Sequence, residues 1–107
     1  MRIFGIKTCD TCRKARRVFA DAEFVDVRDD GLPEAIKAQA LEMFGDALIN
    51  RKSTTWRGLD EAARDQEADA LLSMHPTLMK RPLIEANGTL YLGWTKSVQE
   101  DLGAKSD

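Results

Sequence analysis

The sequence lacks the features that would place the chain in a membrane or direct it out of the cell. No apolar run approaches the roughly 20 residues that span a bilayer. The N-terminal residues 1–6 go directly into a strand-like pattern, without the longer apolar stretch and small-residue cleavage site of a secretory signal. We therefore expect a cytoplasmic protein that makes no contact with a membrane.

The chain also lacks an excess of charge of either sign. It has 16 basic and 18 acidic residues, which gives a net charge of −2. This balance predicts no general attraction to nucleic acid. The 107 residues, of which 43% are hydrophobic, are enough for one core, so we expect a single domain over 1–107 and, by default, a monomer.

Cysteine is scarce: the chain has two, Cys9 and Cys12. A disulfide between them would close so short a loop that it would constrain the unfolded chain very little. A zinc site would need two more ligands, and His75 is the one imidazole in the chain. A reversible dithiol remains, with an inert buried pair as the alternative. Whether the two thiols form a disulfide in the cell is left open.

The order of elements predicts an α/β protein with a thioredoxin-like fold, β-α-β-α … β-β-α, and an all-helical insertion at about 46–79 before the C-terminal hairpin. The insertion is expected to hold two or three short helices. The hairpin is predicted by Asn87-Gly88 between two apolar runs, and the last helix by Thr95 as its N-cap. The other expected elements, in chain order, are a strand at 2–6, a helix at about 11–20, a strand at 23–28, a turn at 29–31 and a helix from 33 to about 44.

The Cys9-Asp10-Thr11-Cys12 motif lies where the first strand gives way to the first helix. Unpaired N–H groups at a helix start favour an anion, and a thiol there ionises more readily. We expect Cys9 to be the exposed nucleophile and Cys12, one turn further in, to resolve a mixed disulfide. Lys7, Arg13 and Lys14 would add positive charge nearby. Far along the chain, Pro82 is either the cis proline that precedes the corresponding strand of thioredoxin-like folds or a trans proline opening an edge strand.

The chain resembles the ArsC/Spx family of thioredoxin-like proteins, most closely its YffB-type branch, whose members are regarded as glutathione-dependent thiol reductases. The resemblance covers nearly the whole chain and keeps the order of the family's motifs. The matching segments are 4–15 (FGIKTCDTCRKA), 26–28 (DVR), 48–51 (LINR), 54–60 (TTWRGLD) and 75–84 (HPTLMKRPLI).

This resemblance implies a catalytic thiolate at Cys9, resolution by Cys12 and arginines that bind an anion. It implies glutathione as a co-substrate, a glutaredoxin as a further partner, and no bound cofactor or metal. The residues expected to surround the anion or substrate are Arg81, Arg51, Lys7, Thr8, Thr11, Arg13 and Pro82.

Two other functions known in the family are alternatives. One is a redox-switched regulator that binds RNA polymerase, and the other is arsenate reduction. Arsenate reductases of the family have a serine where this chain has Cys12 and an arginine after the hairpin, where this chain reads Gly93-Trp94-Thr95-Lys96. The interval from Cys12 to Arg28 is also shorter than in the family by about one helical turn.

Overall fold

The computed structural model describes residues 1–103, which fall into two compact units. One unit comprises Met1–Asp26 and the chain from Arg81 onward, and the other comprises Val27–Lys80. The elements of the first unit are β1 (Arg2–Gly5), α1 (Asp10–Val18), β2 (Glu23–Asp26), β3 (Leu83–Ala86), β4 (Thr89–Leu92) and α7 (Lys96–Asp101). The α-helices of the second unit are α2 (Val27–Asp30), α3 (Glu34–Phe44), α4 (Thr54–Arg57), α5 (Glu61–Arg64) and α6 (Ala68–Met74). Two 3-10 helices, Gly45–Leu48 and Pro76–Leu78, belong to the second unit.

The strands form one mixed sheet in the order β2-β1-β3-β4. β1 pairs in parallel with β2 and antiparallel with β3, and β3 pairs antiparallel with β4. The parallel pair is joined through α1, as the crossover rule requires, and the antiparallel pair is a hairpin. The predicted thioredoxin-like α/β arrangement is confirmed.

One face of the sheet is covered by α1. Ala15 is fully buried in a cluster with Ile3 and Ile84, and six partly buried apolar residues pack around them. Two of these, Phe19 and Trp94, meet edge to face with ring centroids 5.8 Å apart. The small side chain of Ala15 allows the helix to approach the sheet closely, so the start of α1 is held against the end of β1.

The hairpin has the predicted turn. Asn87 and Gly88 both have positive φ, at 53° and 77°, the combination that a two-residue type I′ turn requires. After β4, the Thr95 hydroxyl accepts a hydrogen bond of 3.1 Å from the Val98 N–H, so the predicted N-cap of the last helix is confirmed.

The expectation of a strand through Arg28 followed by a turn is wrong in its second half. β2 ends at Asp26, and the chain continues as the single helical turn α2. The alternating pattern of residues 23–28 predicts one strand, but a strand needs a partner. The ladder with β1 ends at the Gly5–Asp26 pair, so Val27 has no ladder partner on β1 and bends into helical hydrogen bonding instead.

The second unit is built on α3, in which Ile36 and Ala40 are buried and Leu41 and Phe44 are partly buried, so all four apolar residues expected to face inward are at least partly covered. Lys37 is also buried, at 3% exposure, which its sequence position did not predict. Its ammonium group contacts Asp69 at 2.6 Å, Glu34 at 3.0 Å and the Ser73 hydroxyl at 2.6 Å. A buried cation needs such partners, and here α6 supplies two of them.

The segment predicted to be helical, about 46–79, contains α4, α5 and α6, in agreement with the two or three short helices expected there. An isolated bridge joins Ile49 and Met79. Whether the chain is one domain over 1–107 stays a prediction, and the last four residues of that range lie outside the described residues. Within residues 1–103, no helix is both long and apolar enough to cross a membrane.

Gly5 ends β1 at a point of very close approach. A Cβ placed there would lie 2.4 Å from the Sγ of Cys12 and 3.3 Å from its Cβ. No ordinary side-chain carbon fits at such a distance, so only glycine allows the Cys12 thiol to pack against this strand.

Replacement of Gly5 by alanine is therefore expected to destabilise the protein by about 1–3 kcal/mol, because the added methyl group overpacks a buried site. The free energy of unfolding, measured by urea denaturation, tests this. Gly58→Ala is the matched control, since its Cβ would meet nothing closer than 3.6 Å. The double variant Gly5→Ala/Cys12→Ala should recover part of the loss relative to the sum of the single changes. Strictly additive losses would contradict the contact.

Candidate active site

The loop between β1 and α1 is fixed by hydrogen bonds at both ends. The Lys7 N–H donates to the Asp26 carboxylate at 3.0 Å, and the Cys9 N–H donates to the Ile6 carbonyl at 3.0 Å. The Arg13 guanidinium returns from α1 to donate to the Lys7 carbonyl, also at 3.0 Å. These hydrogen bonds fix the position of Cys9 at the N-terminus of α1.

Cys9 is the N-cap residue of α1, with extended backbone angles of φ −82° and ψ 121°. Its carbonyl accepts the N–H of Arg13 at 3.0 Å, the first hydrogen bond of the helix. The Cys9 side chain is half-buried and Cys12, one turn later, is fully buried. Both are free thiols. The prediction that Cys9 is the more accessible of the two cysteines and Cys12 the inner one is confirmed.

Five influences set the pKa of the Cys9 thiol. Partial burial, the largest of them, raises the pKa. Against it act hydrogen bonds from the Cys12 N–H and from the Cys12 thiol, together with a hydrogen bond and the positive charge from Arg81. The net result is a pKa below the ordinary thiol value, because three groups stabilise the thiolate.

The pKa of Cys12 is shifted in the opposite direction, to about 12. Burial is the main cause, and the hydrogen bond to Cys9 and the negative charge of its thiolate raise the pKa further. A hydrogen bond from the Ile6 backbone and the charge of Arg81 offset only part of this. Cys12 therefore keeps its proton at neutral pH and directs it at the sulfur of Cys9.

Arg81 and Pro82 reach this site from the far end of the chain. They directly precede β3, which pairs with β1, so the sheet brings them beside the start of α1. The Arg81–Pro82 peptide bond is cis, as one of the two predicted alternatives has it, and Pro82 is fully buried. Its carbonyl accepts the Gly93 N–H at 2.8 Å, which ties this segment to the end of β4.

The remaining predicted site residues differ in their surroundings. Lys7, Thr8 and Arg13 are exposed around the loop, and Thr11 is half-buried in the first turn of α1. The groups that lower the pKa of Cys9 are Cys12 and Arg81. Arg81 is the arginine that the family resemblance places at this site, and Lys7, Arg13 and Lys14, which the local sequence suggests, are not among these groups.

Arg51 belongs to the second unit. Its guanidinium carbon lies 5.4 Å from the centroid of the Trp56 ring, and that of Arg64 lies 5.6 Å from the same centroid. This cation–π contact with Trp56 accounts for the local placement of Arg51. Its predicted part in binding an anion stays a prediction.

Two residues that position the site were not identified from the sequence as parts of it. One is Gly5, which makes room for the Cys12 thiol, and the other is Asp26, a carboxylate of 6% exposure that holds the loop through Lys7. A glycine at a strand end directly before the dithiol loop, and an acidic residue at the end of the neighbouring strand, were the available signals. Within residues 1–103, no cluster of His, Cys, Asp and Glu side chains is suited to hold a metal ion.

A thioredoxin-like sheet with a dithiol at the N-terminus of its first helix and a cis proline before β3 defines the general class of this protein. Residues 4–101 match the model of the ArsC family. The chain belongs to the ArsC family.

Individual relatives agree with this assignment. A protein of Haemophilus influenzae described as uncharacterised is 40% identical over 103 residues, covering 88% of this chain and 90% of the relative. A solved structure of a YffB protein superposes with a TM-score of 0.80 at 28% identity, covering 94% of this chain and 96% of that one. An arsenate reductase (ArsC) related protein from Brucella melitensis gives 0.66 at 32% identity, over 94% and 91% of the two chains.

The contacts of Cys9 predict how its reactivity depends on pH. Since its pKa is lowered, the rate of alkylation by iodoacetamide should reach half its maximum at a lower pH than for an ordinary exposed thiol, and should fall as the pH drops through the lowered pKa. Arg81→Met removes one donor and one positive charge, so the midpoint should move to higher pH and the rate at neutral pH should decrease several-fold.

Lys96→Met is the matched control, because it removes one cation from the same unit without removing a contact to Cys9. Its midpoint should equal that of the unmodified protein. An equal shift in both variants would show that general charge, rather than the Arg81 contact, lowers the pKa. Cys12 should remain unmodified in the folded protein throughout the neutral range.

Proposed function

We propose that this protein is a glutathione-dependent thiol-disulfide oxidoreductase in which Cys9 is the nucleophile. The observation that carries the proposal is that the pKa of the Cys9 thiol is lowered, whereas the pKa of the Cys12 thiol, one helical turn later, is raised. Such a pair contains one sulfur ready to attack and one that holds its proton. As a protein that uses glutathione, it would work in the cytoplasm.

The first step is attack of the Cys9 thiolate on one sulfur of an oxidised substrate R–S–S–R′. A bond forms between Cys9 and the R sulfur, the R–S–S–R′ bond breaks, and R′–S⁻ leaves with the electron pair and takes a proton from solvent. Donors that stabilise the Cys9 thiolate also lower its basicity, and the rate is highest when the attacking thiol has a pKa near the ambient pH. The contacts from Cys12 and Arg81 serve this balance.

In the second step, Cys12 or the thiolate of glutathione attacks the Cys9 sulfur, and R–S⁻ leaves with the electron pair and takes a proton from solvent. Cys9 is then in a disulfide with Cys12 or with glutathione. Further glutathione attacks that disulfide, which returns Cys9 to the thiolate and leaves the oxidation in a molecule of oxidised glutathione. Once Cys9 has lost its negative charge, one cause of the raised Cys12 pKa disappears, but burial, the largest cause, remains. A thiol of ordinary pKa is ionised to a greater extent at neutral pH, so glutathione carries the larger share of this step. A glutaredoxin would be a protein source of the same reducing thiol.

Arg81 has a second role in this proposal. Its guanidinium, a planar set of donors, hydrogen-bonds to the Cys9 sulfur, and the residue directly precedes the buried Pro82. A guanidinium pairs well with a carboxylate, of which glutathione has two. We assign Arg81 to glutathione or an anionic substrate group, with Arg51, Lys7, Thr8, Thr11 and Arg13 as further contributors.

Two variants test the division of roles. Cys9→Ser should abolish glutathione-dependent reduction of 2-hydroxyethyl disulfide, because no other described thiol is poised to attack. Cys12→Ala should retain turnover when glutathione is in excess, at a reduced rate because Cys9 has lost a hydrogen-bond donor. The assay is the steady-state rate coupled to glutathione reductase.

Intact-mass measurement after treatment with oxidised glutathione provides an independent check. One glutathione should be attached to the Cys12→Ala variant and none to Cys9→Ser. Turnover that survives in Cys9→Ser would overturn the proposal. Arsenate reduction in the presence of glutathione, with no activity on disulfides, would assign the same thiol to an oxyanion substrate instead.

A further inference from the structure

Basic residues are concentrated along one side of α1. They line an open groove of about 990 Å³ together with a short apolar stretch that includes the start of β2. The lining contains five basic residues and one acidic residue, although the whole chain has 16 basic and 18 acidic residues. The basic members are Lys7, Arg13, Lys14, Arg16 and Arg17.

This concentration of charge is unfavourable for the helix itself. Arg13 and Arg17 are four residues apart and Lys14 and Arg17 three apart, spacings at which like charges repel. On this face Arg13 pairs with Asp10 at 3.8 Å. Cations in the last turn complement the helix dipole, which accounts for Arg16 and Arg17, but the dipole disfavours cations toward the N-terminal end. A ligand with negative charge would offset the repulsion.

The groove also has an apolar component. Phe19 and Phe24 line it, and the Arg16 guanidinium lies 4.2 Å from the centroid of the Phe24 ring. This contact holds one cation over an apolar surface. Carboxylates on short aliphatic stems, as in glutamate and aspartate side chains, match such a combination of charge and apolar surface. A bare inorganic anion would leave the apolar part unused.

The groove lies beside the reactive sulfur. Lys7 and Asp10, both in its lining, are two residues before and one residue after Cys9. We propose that this groove binds an acidic peptide segment next to the oxidised cysteine of a protein substrate. This inference rests on the proposed function, because it names the class of disulfide that Cys9 would attack. The acidic segment lies along α1 and the substrate cysteine meets Cys9 at the start of the helix.

The observations favour a peptide over a nucleic acid. The chain as a whole has a net charge of −2, which would repel an extended phosphate backbone outside the groove. A short acidic segment with apolar stems needs only the groove itself. Its binding would also be useful to the reaction, since it delivers a cysteine to the adjacent thiolate.

The test compares three synthetic peptides that have one cysteine each, in a mixed disulfide with thiopyridine, and acidic, neutral or basic flanking residues. Stopped-flow absorbance of the released thiopyridine gives the rate constant for attack by Cys9. At low ionic strength, the acidic peptide should react about tenfold faster than the neutral one, and the basic peptide more slowly. At about 1 M salt, the advantage should fall below about twofold because charges are screened within a few ångströms.

Arg17→Gln and Arg57→Gln form a matched pair, since both arginines are exposed and lie in the last turn of a helix, but only Arg17 lines the groove. Arg17→Gln should reduce the advantage of the acidic peptide about threefold, and Arg57→Gln should leave it unchanged. The mixed disulfide of mercaptoethanol with thiopyridine, which has no peptide, should react equally with both variants. Equal rates for the three peptides, or equal losses in the two variants, would overturn the inference.

The same design separates this inference from the proposed function. If Cys9 reacts with the mercaptoethanol disulfide no faster than an ordinary thiol does, the proposed function fails whatever the peptides show. If Arg17→Gln raises the KM for glutathione as much as that for the acidic peptide, the groove is the glutathione site and the inference is wrong. Two further probes are a fluorescent single-stranded DNA of equal charge and a vesicle containing phosphatidylserine, each tested for binding to the Cys9→Ser variant. The inference is also wrong if either probe binds this variant more tightly than the acidic peptide does and if that affinity is lost when Arg17→Gln is added.

Discussion

The hydrogen bond between the thiols of Cys12 and Cys9 is the interaction on which the site depends. Cys12 is the donor and Cys9 the acceptor because the two sulfurs have different surroundings. Cys12 is fully buried beside Gly5, and Cys9 is half-buried at the N-terminus of α1. Burial keeps the proton on Cys12, and the proton then stabilises the thiolate of Cys9. The chemistry of the outer sulfur is therefore set by the packing of the inner one.

That packing in turn depends on the sheet. β1 lies between β2 and β3, so one central strand determines where three separate segments of the chain meet. Its last residue, Gly5, leaves space for Cys12; its neighbour β2 contributes Asp26 to hold the loop; and its other neighbour β3 follows Arg81 and Pro82. A substitution far from Cys9 in sequence can therefore change its reactivity through the end of one strand.

Much of this could be predicted from the sequence, because the signals were local. The Asn87-Gly88 turn, the Thr95 cap and the dithiol at a strand-to-helix junction each depend on a few neighbouring residues. The end of β2 could not be placed, since it depends on where β1 stops, and the burial of Lys37 depends on Asp69, 32 positions away. Local sequence predicts charge beside Cys9 from Lys7, Arg13 and Lys14, whereas Arg81, which is distant in sequence and was indicated only by the family resemblance, makes the contact. Sequence proximity is a poor guide to electrostatics once a sheet joins distant segments.

The two proposals fit together through the second step of the reaction. If glutathione reduces the mixed disulfide, the substrate must remain on Cys9 while a second thiol approaches the same sulfur. Two ligands can be present at once only if they use different surfaces. The lining of the groove along α1 includes Lys7 and Arg13, which would then contact the substrate rather than glutathione, and Arg81 is not part of this lining. A peptide held in the groove would leave Arg81 available to orient the carboxylate of glutathione. The cations of α1 and the guanidinium of Arg81 would then serve one reaction, which brings two anionic partners to the half-buried thiolate of Cys9.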